Sequence, residues 1–521
     1  MGYNHIHHIQ LIAYGALSKM NPLNYLNSHK YLLPLLCVVT FLLISGPVQS
    51  APLEERVIGY SLDNGLKLLV VERHDAPVVS AYITIGVGSV HETSETRGVA
   101  HLLEHMRFKG TRTLGTTDFR AEQPLLREIE QVGSELDALR IEPDRNRERI
   151  AALQVRLAEL QEQHKKYVVK DVFAQIYSEN GGVGFNAFTS KDMTTYLISL
   201  PSNKLELWAL VESDRMRNSI LREFYTERDV IREERRRSYD TNPSGLVYEA
   251  LLANAFTMHP YRNPIIGWHS DIANLTLKET RDFMERYYAP INTVIALVGD
   301  VRAEQALVLV EKYFGDLPTG TPVPVVAAVE PAQEGEKRVT INFDAEPQLA
   351  IAFHKPTLPH KDDYTFDLID QILGQGRTSR LYKSLVEEQQ LATSVSVYGA
   401  PGARYPNLFV INAIPRYPHT SAEVEAAIYR ELDQLKAVPV SDLELTKARN
   451  RLVTDQLRQL KTNQGLARML TSYQSLLGDW RYLAEYEQEI ERLTAEDLMA
   501  VARTYFTEQN RTVVSLEKGD S

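Results

Sequence analysis

Cysteine is almost absent from this chain: Cys37 is the only one in 521 residues. It lies in an apolar N-terminal run, so a chain cleaved after that run has none. Such a chain can hold no disulfide, cysteine nucleophile or thiolate metal site, and any metal must be bound by His, Asp or Glu. Positive charge is also in short supply. Against 68 Asp and Glu stand 57 Lys and Arg, a formal net charge of -11, which argues against nucleic acid as the main partner and leaves peptides open. No low-complexity tract dominates, and a composition 44% hydrophobic and 24% charged is that of a globular protein. The length is too great for one ordinary core and favours two or more domains.

Long hydrophobic runs are scarce. KYLLPLLCVVTFLLISGPVQSAP, from Lys30, has an apolar core of about 15 residues, Tyr31 to Ser45. A membrane-spanning helix needs roughly 20, and this run contains Pro34 and ends at Gly46-Pro47. With a basic residue before it and small residues at Ser50 and Ala51, it reads as a secretory signal peptide in residues 1–50, cleaved near Ala51. The polar residues ahead of Met20 fit a signal poorly, which points to Met20 as the true start. The bulky leucines before Cys37 speak against a lipid-modified cysteine. An exported chain of this kind is expected in a bacterial periplasm, with the extracellular space as the alternative.

Two segments look like copies. LTLKETRDFMERYYAPINTVIALVGD starts at Leu275 and LTAEDLMAVARTYFTEQNRTVVSLEKGD at Leu493. Each reads as a charged helix, an aromatic pair, a turn with Asn292 or Asn510, and a β-branched strand, the order expected of an internal duplication. Between them, the stretch Asp316 to Lys337 is rich in Pro, Gly and Ala and reads as a linker. The expected organisation is a first domain over 51–318, a linker over 319–337 and a second domain over 338–521. The fold class is α+β: two homologous sandwich-like domains, each a mainly antiparallel sheet covered by helices, facing each other as a clamshell. About residues 121–170 the first half carries a segment with no counterpart in the second. Leu125, Ile129, Val132, Leu136 and Leu139 form one helical stripe, and Ile150, Leu153, Leu157 and Leu160 another. Glu142-Pro143-Asp144 separates them, so a charged helical hairpin projecting from the domain is expected.

The chemistry-bearing stretch is GVAHLLEHMRFKGT, Gly98 to Thr111. Residues four apart on a helix share a face, so His101 and His105 can offer two imidazoles to one ion. Glu104 would then stand close enough to reach a water on that ion without being a ligand. This HxxEH order is the inverse of the HExxH zinc motif. Val99, Ala100, Leu102, Leu103, Met106 and Phe108 make the helix largely buried, where unpaired His and Glu cost several kcal/mol, and that favours metal. A catalytic zinc keeps three protein ligands and an open position. The helix expected over Phe224 to Asp240 offers Glu227, Glu233 and Glu234. With Val230 and Ile231 taken as its buried stripe, Glu227 and Glu234 share that stripe, and Glu233 is turned roughly 100° from Glu234. Geometry alone therefore leaves Glu234 or Glu227 as the third ligand.

With these residues the chain resembles the pitrilysin, or M16, metallopeptidases, in particular their short two-domain members related to processing peptidases. The resemblance spans nearly the whole exported chain. It rests on GVAHLLEHMRFKGT, GVGFNAFTSKDMTTYLISLP, ERDVIREE, YYAPINTVIALVGD and GQGRTSRLYKSL. It implies Glu234 as the third ligand, one zinc per chain held by His101, His105 and Glu234, Glu104 as general base, and Glu227 as a supporting glutamate. The separation of His105 from Glu234 exceeds the family's usual spacing, and the excess falls where the helical hairpin is placed. SAYITIGVG and GFNAFTS resemble the family's substrate-binding edge, where an extended peptide adds as a strand; Asn186 and Ala187 would line it.

The implied function is an exported zinc endopeptidase acting on extended or unfolded peptides, with a catalytically silent second half. One departure bears on partners. Active members carry an Arg and, further on, a Tyr that hold substrate from the second half, and here Val386 and Thr393 occupy those places. Either Arg380 or Tyr382 compensates, or the chain works as a homodimer or with a related subunit that supplies the pair. A noncatalytic assembly subunit of the same fold is the other class of reading, which the retained histidines and glutamates disfavour.

Overall fold

Runs rich in β-branched and other apolar residues, many of them buried along nearly their whole length, build two sheets. The first contains β1 (Ile58–Ser61), β2 (Lys67–Glu72), β3 (Val78–Ile85), β4 (Val183–Thr189), β5 (Thr194–Pro201) and β6 (Thr293–Gly299), in the order β1-β2-β6-β3-β5-β4. The second contains β7 (Lys337–Phe343), β8 (Gln348–Lys355), β9 (Ala392–Ala400), β10 (Asn407–Pro415) and β11 (Arg511–Lys518), in the order β7-β11-β8-β10-β9. One pair in each sheet is parallel, β2 with β6 and β7 with β11, and the other neighbours are antiparallel. Without β1, the two sheets have the same order and the same strand senses.

This computed structural model describes residues 52–139 and 143–519. The expected signal peptide, Met20 and Cys37 lie outside the described residues, as does Glu142. Among the described residues no helix is long and apolar enough to cross a membrane. Arg56 onward forms one unit, to which the following description applies. Its relevant helices are α1 (Val99–Met106), α2 (Phe119–Leu139), α3 (Arg147–His164), α4 (Leu205–Asn218), α5 (Phe224–Arg235), α6 (Pro243–Ala255), α7 (Leu277–Tyr287), α8 (Lys361–Leu373), α9 (Asp442–Lys461), α10 (Asn463–Leu477) and α11 (Ala495–Tyr505).

The duplication extends to individual hydrogen bonds. Thr276 and Glu279 form a capping box at the start of α7, and Thr494 and Asp497 form the same box on α11. After each helix an asparagine turns the chain into the last strand. Asn292 donates to the Tyr287 carbonyl at 3.1 Å and Asn510 to the Tyr505 carbonyl at 2.8 Å. The two halves are homologous α+β units, each a mainly antiparallel sheet covered by helices, and they face each other.

They are also interlocked. Every residue of β6 is buried, so both faces of its sheet must be covered. The first half's own helices cover one face. The other is met by α10 of the second half, which packs on β3 and β6 and whose Gln464 donates to Ser199 Oγ at 3.0 Å. In return α6 of the first half lies on the second sheet. There Val247, Leu251, Leu252 and Ala255 join Ala350, Ala352, Val410, Val514 and Leu516 in one apolar cluster. Residues 318–334 between the halves contain no helix or strand, yet Glu330 is pinned by the backbone N–H groups of Thr257, Met258 and His259.

The helical hairpin of the first half exists but does not project. Its helices run antiparallel, joined by Glu135 to Arg149, Glu128 to Arg156 and Glu122 to His164. The pair lies against α5 and α7 through Asp137 to Arg228 at 3.0 Å and Glu130 to Arg281 at 2.8 Å. Leu136, Leu153 and Leu157 belong to the main core. The stripe on α2 is broad enough to serve both α3 and the body, so the hairpin is held down. Gly133 marks the closest approach, where an added Cβ would stand 2.0 Å from the Tyr225 hydroxyl. In an open helix Gly→Ala stabilises by about 1 kcal/mol. Here Gly133→Ala is expected to destabilise by about 1–3 kcal/mol through overpacking. Denaturant midpoints check this; a higher midpoint would show that Tyr225 moves aside freely.

Candidate metal centre

The helix α1 begins at Gly98, whose φ of 88° is left-handed. The Glu92 carboxylate accepts the N–H groups of Gly98 and Ala100, each at 2.9 Å, and so satisfies donors that a helix start leaves free. Val99, Ala100, Leu102, Leu103 and Met106 turn into the core. His101 and His105 sit side by side on the opposite face with ring centres 4.8 Å apart.

Helix α5 faces α1, but its buried stripe is not the expected one. Phe224, Glu227, Arg228, Ile231 and Arg235 are buried, whereas Val230 is 48% exposed. Phe224, Tyr225 and Ile231 share that inner face with buried charges, Arg228 held by Asp137 and Arg235 by Glu249 at 2.8 Å, so of the two expected apolar markers Ile231 is buried and Val230 is not. Glu227 and Glu234 still share a side. Glu233 faces away, tied to Arg236 at 2.8 Å and Arg237 at 2.9 Å.

Donor atoms from His101, His105 and Glu234 all lie within 4.8 Å of one another, the one such trio among the described residues. Glu234 Oε1 is 3.7 Å from His101 Nε2, and its Oε2 is 3.6 Å from His105 Nε2. These separations are too long for hydrogen bonds but close to the roughly 3.4 Å between ligand atoms around a tetrahedral zinc. Burial, assisted by the adjacent His105, pushes His101 down to about 3, which leaves its ring neutral with a free lone pair. Burial opposes charge on His105, but the hydrogen bond and charge of Glu227 outweigh it and raise its pKa. His105 Nδ1 meets Glu227 Oε1 at 2.9 Å, and Lys109 Nζ holds Glu227 Oε2 at 2.6 Å. Burial would raise Glu227, but those two bonds win and bring it to about 2. Both its oxygens are thereby engaged on the far side of His105. A carboxylate on Nδ1 presents Nε2 as the donor, the arrangement that orients histidines at metal sites. The residues therefore fit a zinc ion. His101 Nδ1 is buried and has no hydrogen-bond partner among the described residues.

Glu104 lies beside this trio and outside it. Thr189 Oγ1 donates to Glu104 Oε2 at 2.5 Å. Burial raises the Glu104 pKa, against the pull of that bond. Thr189 ends β4, which pairs only with β5 and so leaves one edge of the first sheet open. Asn186 is exposed on β4 and Ala187 is 8% exposed. SAYITIGVG is not at this edge: β3 is paired on both sides, with β5 and β6. Its nearly unbroken burial is that of an interior strand. Residue patterns missed Thr189, Lys109 and Glu92, although the first two lie inside quoted motifs.

The second half shows what the duplication did to the site. As α1 follows β3, α8 follows β8, but α8 contains no histidine and carries the acidic pair Asp367 and Asp370. Burial moves Asp367 up to about 6 and Asp370 up to about 7. Of the residues relevant to substrate holding, Val386 is buried in the second core. Thr393 is exposed on the edge strand β9. Arg380 is committed to a two-bond pair with Glu444, at 2.8 and 2.6 Å.

Comparison with known proteins agrees with this arrangement. A family model described as "Insulinase (Peptidase family M16)" matches residues 67–145 and 164–268, and "Peptidase M16 inactive domain" matches 274–452. Zinc protease PqqE of Helicobacter pylori is 27% identical over 465 residues, covering 88% of this chain and 92% of that one. A probable mitochondrial-processing peptidase subunit beta of Arabidopsis thaliana is 25% identical over 482 residues, covering 90% and 79%. Among solved structures, a protease from Helicobacter pylori superposes with TM-score 0.75 at 26% identity, over 88% of this chain and 99% of that one. The periplasmic protease PqqL of Escherichia coli shares the fold with TM-score 0.65 at 19% identity, over 89% and 48%. Sheet topology, duplicated halves and family models lead to one assignment: the chain belongs to peptidase family M16.

Proposed function

We propose that this protein is an exported zinc-dependent endopeptidase that hydrolyses extended or unfolded peptides. The observation that carries the reading is the convergence of His101, His105 and Glu234 beside the Glu104 carboxylate, which is outside the trio and bonded by Thr189 at the end of an edge strand. His101, His105 and Glu234 would hold one zinc per chain. Bound zinc supplies Lewis acidity and makes a water acidic enough to attack near neutral pH. Glu227 takes the Nδ1 side of His105 and keeps its ring turned to the ion. Glu104, steadied by Thr189, accepts a proton from the attacking water and returns it to the leaving nitrogen. Asn186 and Ala187 lie on the strand to which a peptide would add by backbone hydrogen bonds, which selects extended substrates. The N-terminal apolar run carries the export part of the proposal. The second half, whose α8 carries Asp367 and Asp370 and no histidine, is catalytically silent.

Metal analysis combined with cleavage of a random peptide library, with and without chelator, tests the whole reading. One zinc per chain and chelator-sensitive cleavage are expected; a zinc-free chain that still cleaves would overturn it. Glu227→Gln should weaken zinc binding about 10- to 100-fold, because a ligand's hydrogen-bonded partner sets its orientation and basicity. Competition with a chromogenic chelator measures this, and unchanged affinity would remove Glu227 from the supporting role.

A second reading is favoured by the burial of Val386 and the engagement of Arg380 with Glu444. Neither is free to hold substrate, which leaves Tyr382, a second copy of this chain or a related M16 subunit to do so. Co-purification from the native host decides: full activity without a related subunit counts against the partner.

A further inference from the structure

The match to the family model breaks between residues 145 and 164, the stretch occupied by α3. Where the hairpin lies on the body there is a cavity of about 510 Å³ whose lining includes none of the metal trio, a size suited to one small organic molecule. Its floor is apolar. Leu126 and Ile129 on α2 face Met216 on α4, Ile220, and Met284 on α7, and each is only partly covered by protein. Its rim is cationic. Arg112, Arg127 and Lys170 line it, are exposed, and form no ion pair with a carboxylate among the described residues. The cations beside them are neutralised within the protein, Arg281 by Glu130, Arg217 by Asp316 and Lys165 by Glu162. Three carboxylates also line the cavity: Glu130 is paired with Arg281, Glu223 with Lys109, and Glu285 is exposed, so Arg112, Arg127 and Lys170 leave the lining with a net cationic surplus.

We propose that this cavity binds a single-chain amphiphile with an anionic head. The tail would replace water against Leu126, Ile129 and Met284, which gains about 25 cal/mol per Å² of apolar surface covered. The head would meet Arg112, Arg127 and Lys170, which form no ion pair among the described residues that it would have to displace. A cationic or neutral head would find no such partner. The site is separate from the peptide edge and does not depend on the peptidase reading.

The test uses the full zinc-loaded chain and calorimetric titration with dodecanoate and dodecyl phosphate below their micelle concentrations, with dodecyltrimethylammonium as the tail-matched control. One saturable site per chain is expected, with at least one anion binding about tenfold or more tightly than the cation. R112E/R127E/K170E should weaken anion binding about tenfold or more. Zinc content and circular dichroism should be unchanged in that variant, because all three side chains are exposed. Ile129→Trp should fill the chamber and block both anions. Equal binding of the anions and the cation, no saturable site, or undiminished affinity in the charge-reversed variant would each overturn the proposal. The two anionic probes distinguish a carboxylate from a phosphate head.

Discussion

Replacing Glu104 with Gln is expected to leave zinc at one per chain while peptide hydrolysis falls about 10²- to 10⁴-fold, the range that a positioned general base contributes. The two results come apart because Glu104 is outside the trio of His101, His105 and Glu234. The amide keeps the shape of the side chain and can still accept the Thr189 hydroxyl, so α1 and the edge strand stay in place. What the variant lacks is a basic oxygen for the proton of the attacking water. Steady-state cleavage of a fluorogenic peptide with parallel metal analysis makes the measurement. Retained activity would remove Glu104 from the chemistry, and parallel loss of zinc would make it a ligand.

Replacing Glu234 with Gln is expected to act in the reverse order: zinc falls below stoichiometric, and activity falls with it. The carboxylate is the one anionic donor of the trio. An amide oxygen is a poor ligand for zinc, and two imidazoles alone do not complete a catalytic site. Glu227 cannot step in, because its oxygens are engaged by His105 and by Lys109. Excess zinc should restore part of the activity in this variant and none in the Glu104 one. Full zinc in the Glu234 variant would hand the ligand role to Glu227.

Much of this arrangement was legible in residue order. HLLEH could be read because four residues make about one helical turn, so spacing along the chain is position around the axis. Glu227 and Glu234 could be placed on one side of α5 for the same reason. The duplication showed in Asn292 and Asn510, which proved to make the same hydrogen bond in each half. Patterns failed where an inner surface is not apolar. Hydropathy marks Val230 and Ile231 alike as buried, but beside Ile231 the inner side of α5 is taken up by Arg228 and Arg235 in ion pairs, and Val230 is left outside. SAYITIGVG and GFNAFTS resemble the substrate edge equally, yet of the two strands β3 is interior and β4 is at an edge. Strand order depends on pairing between segments far apart in the chain, and composition does not encode it.

By itself the sequence determined the local facts. It set which residues share a helical face, that no cysteine lies outside the N-terminal apolar run, and that one half carries HxxEH while the other has none. Tertiary structure decided what those faces meet. It chose Glu234 over Glu227 as the carboxylate opening onto both imidazoles, because Lys109 and His105 Nδ1 engage Glu227 from the other side. It also laid the hairpin down on α5 and α7, around a chamber that neither helix forms alone. The physical reason is common to both. Convergence of donors and enclosure of a cavity depend on distances across the fold, which are fixed only when separate elements pack.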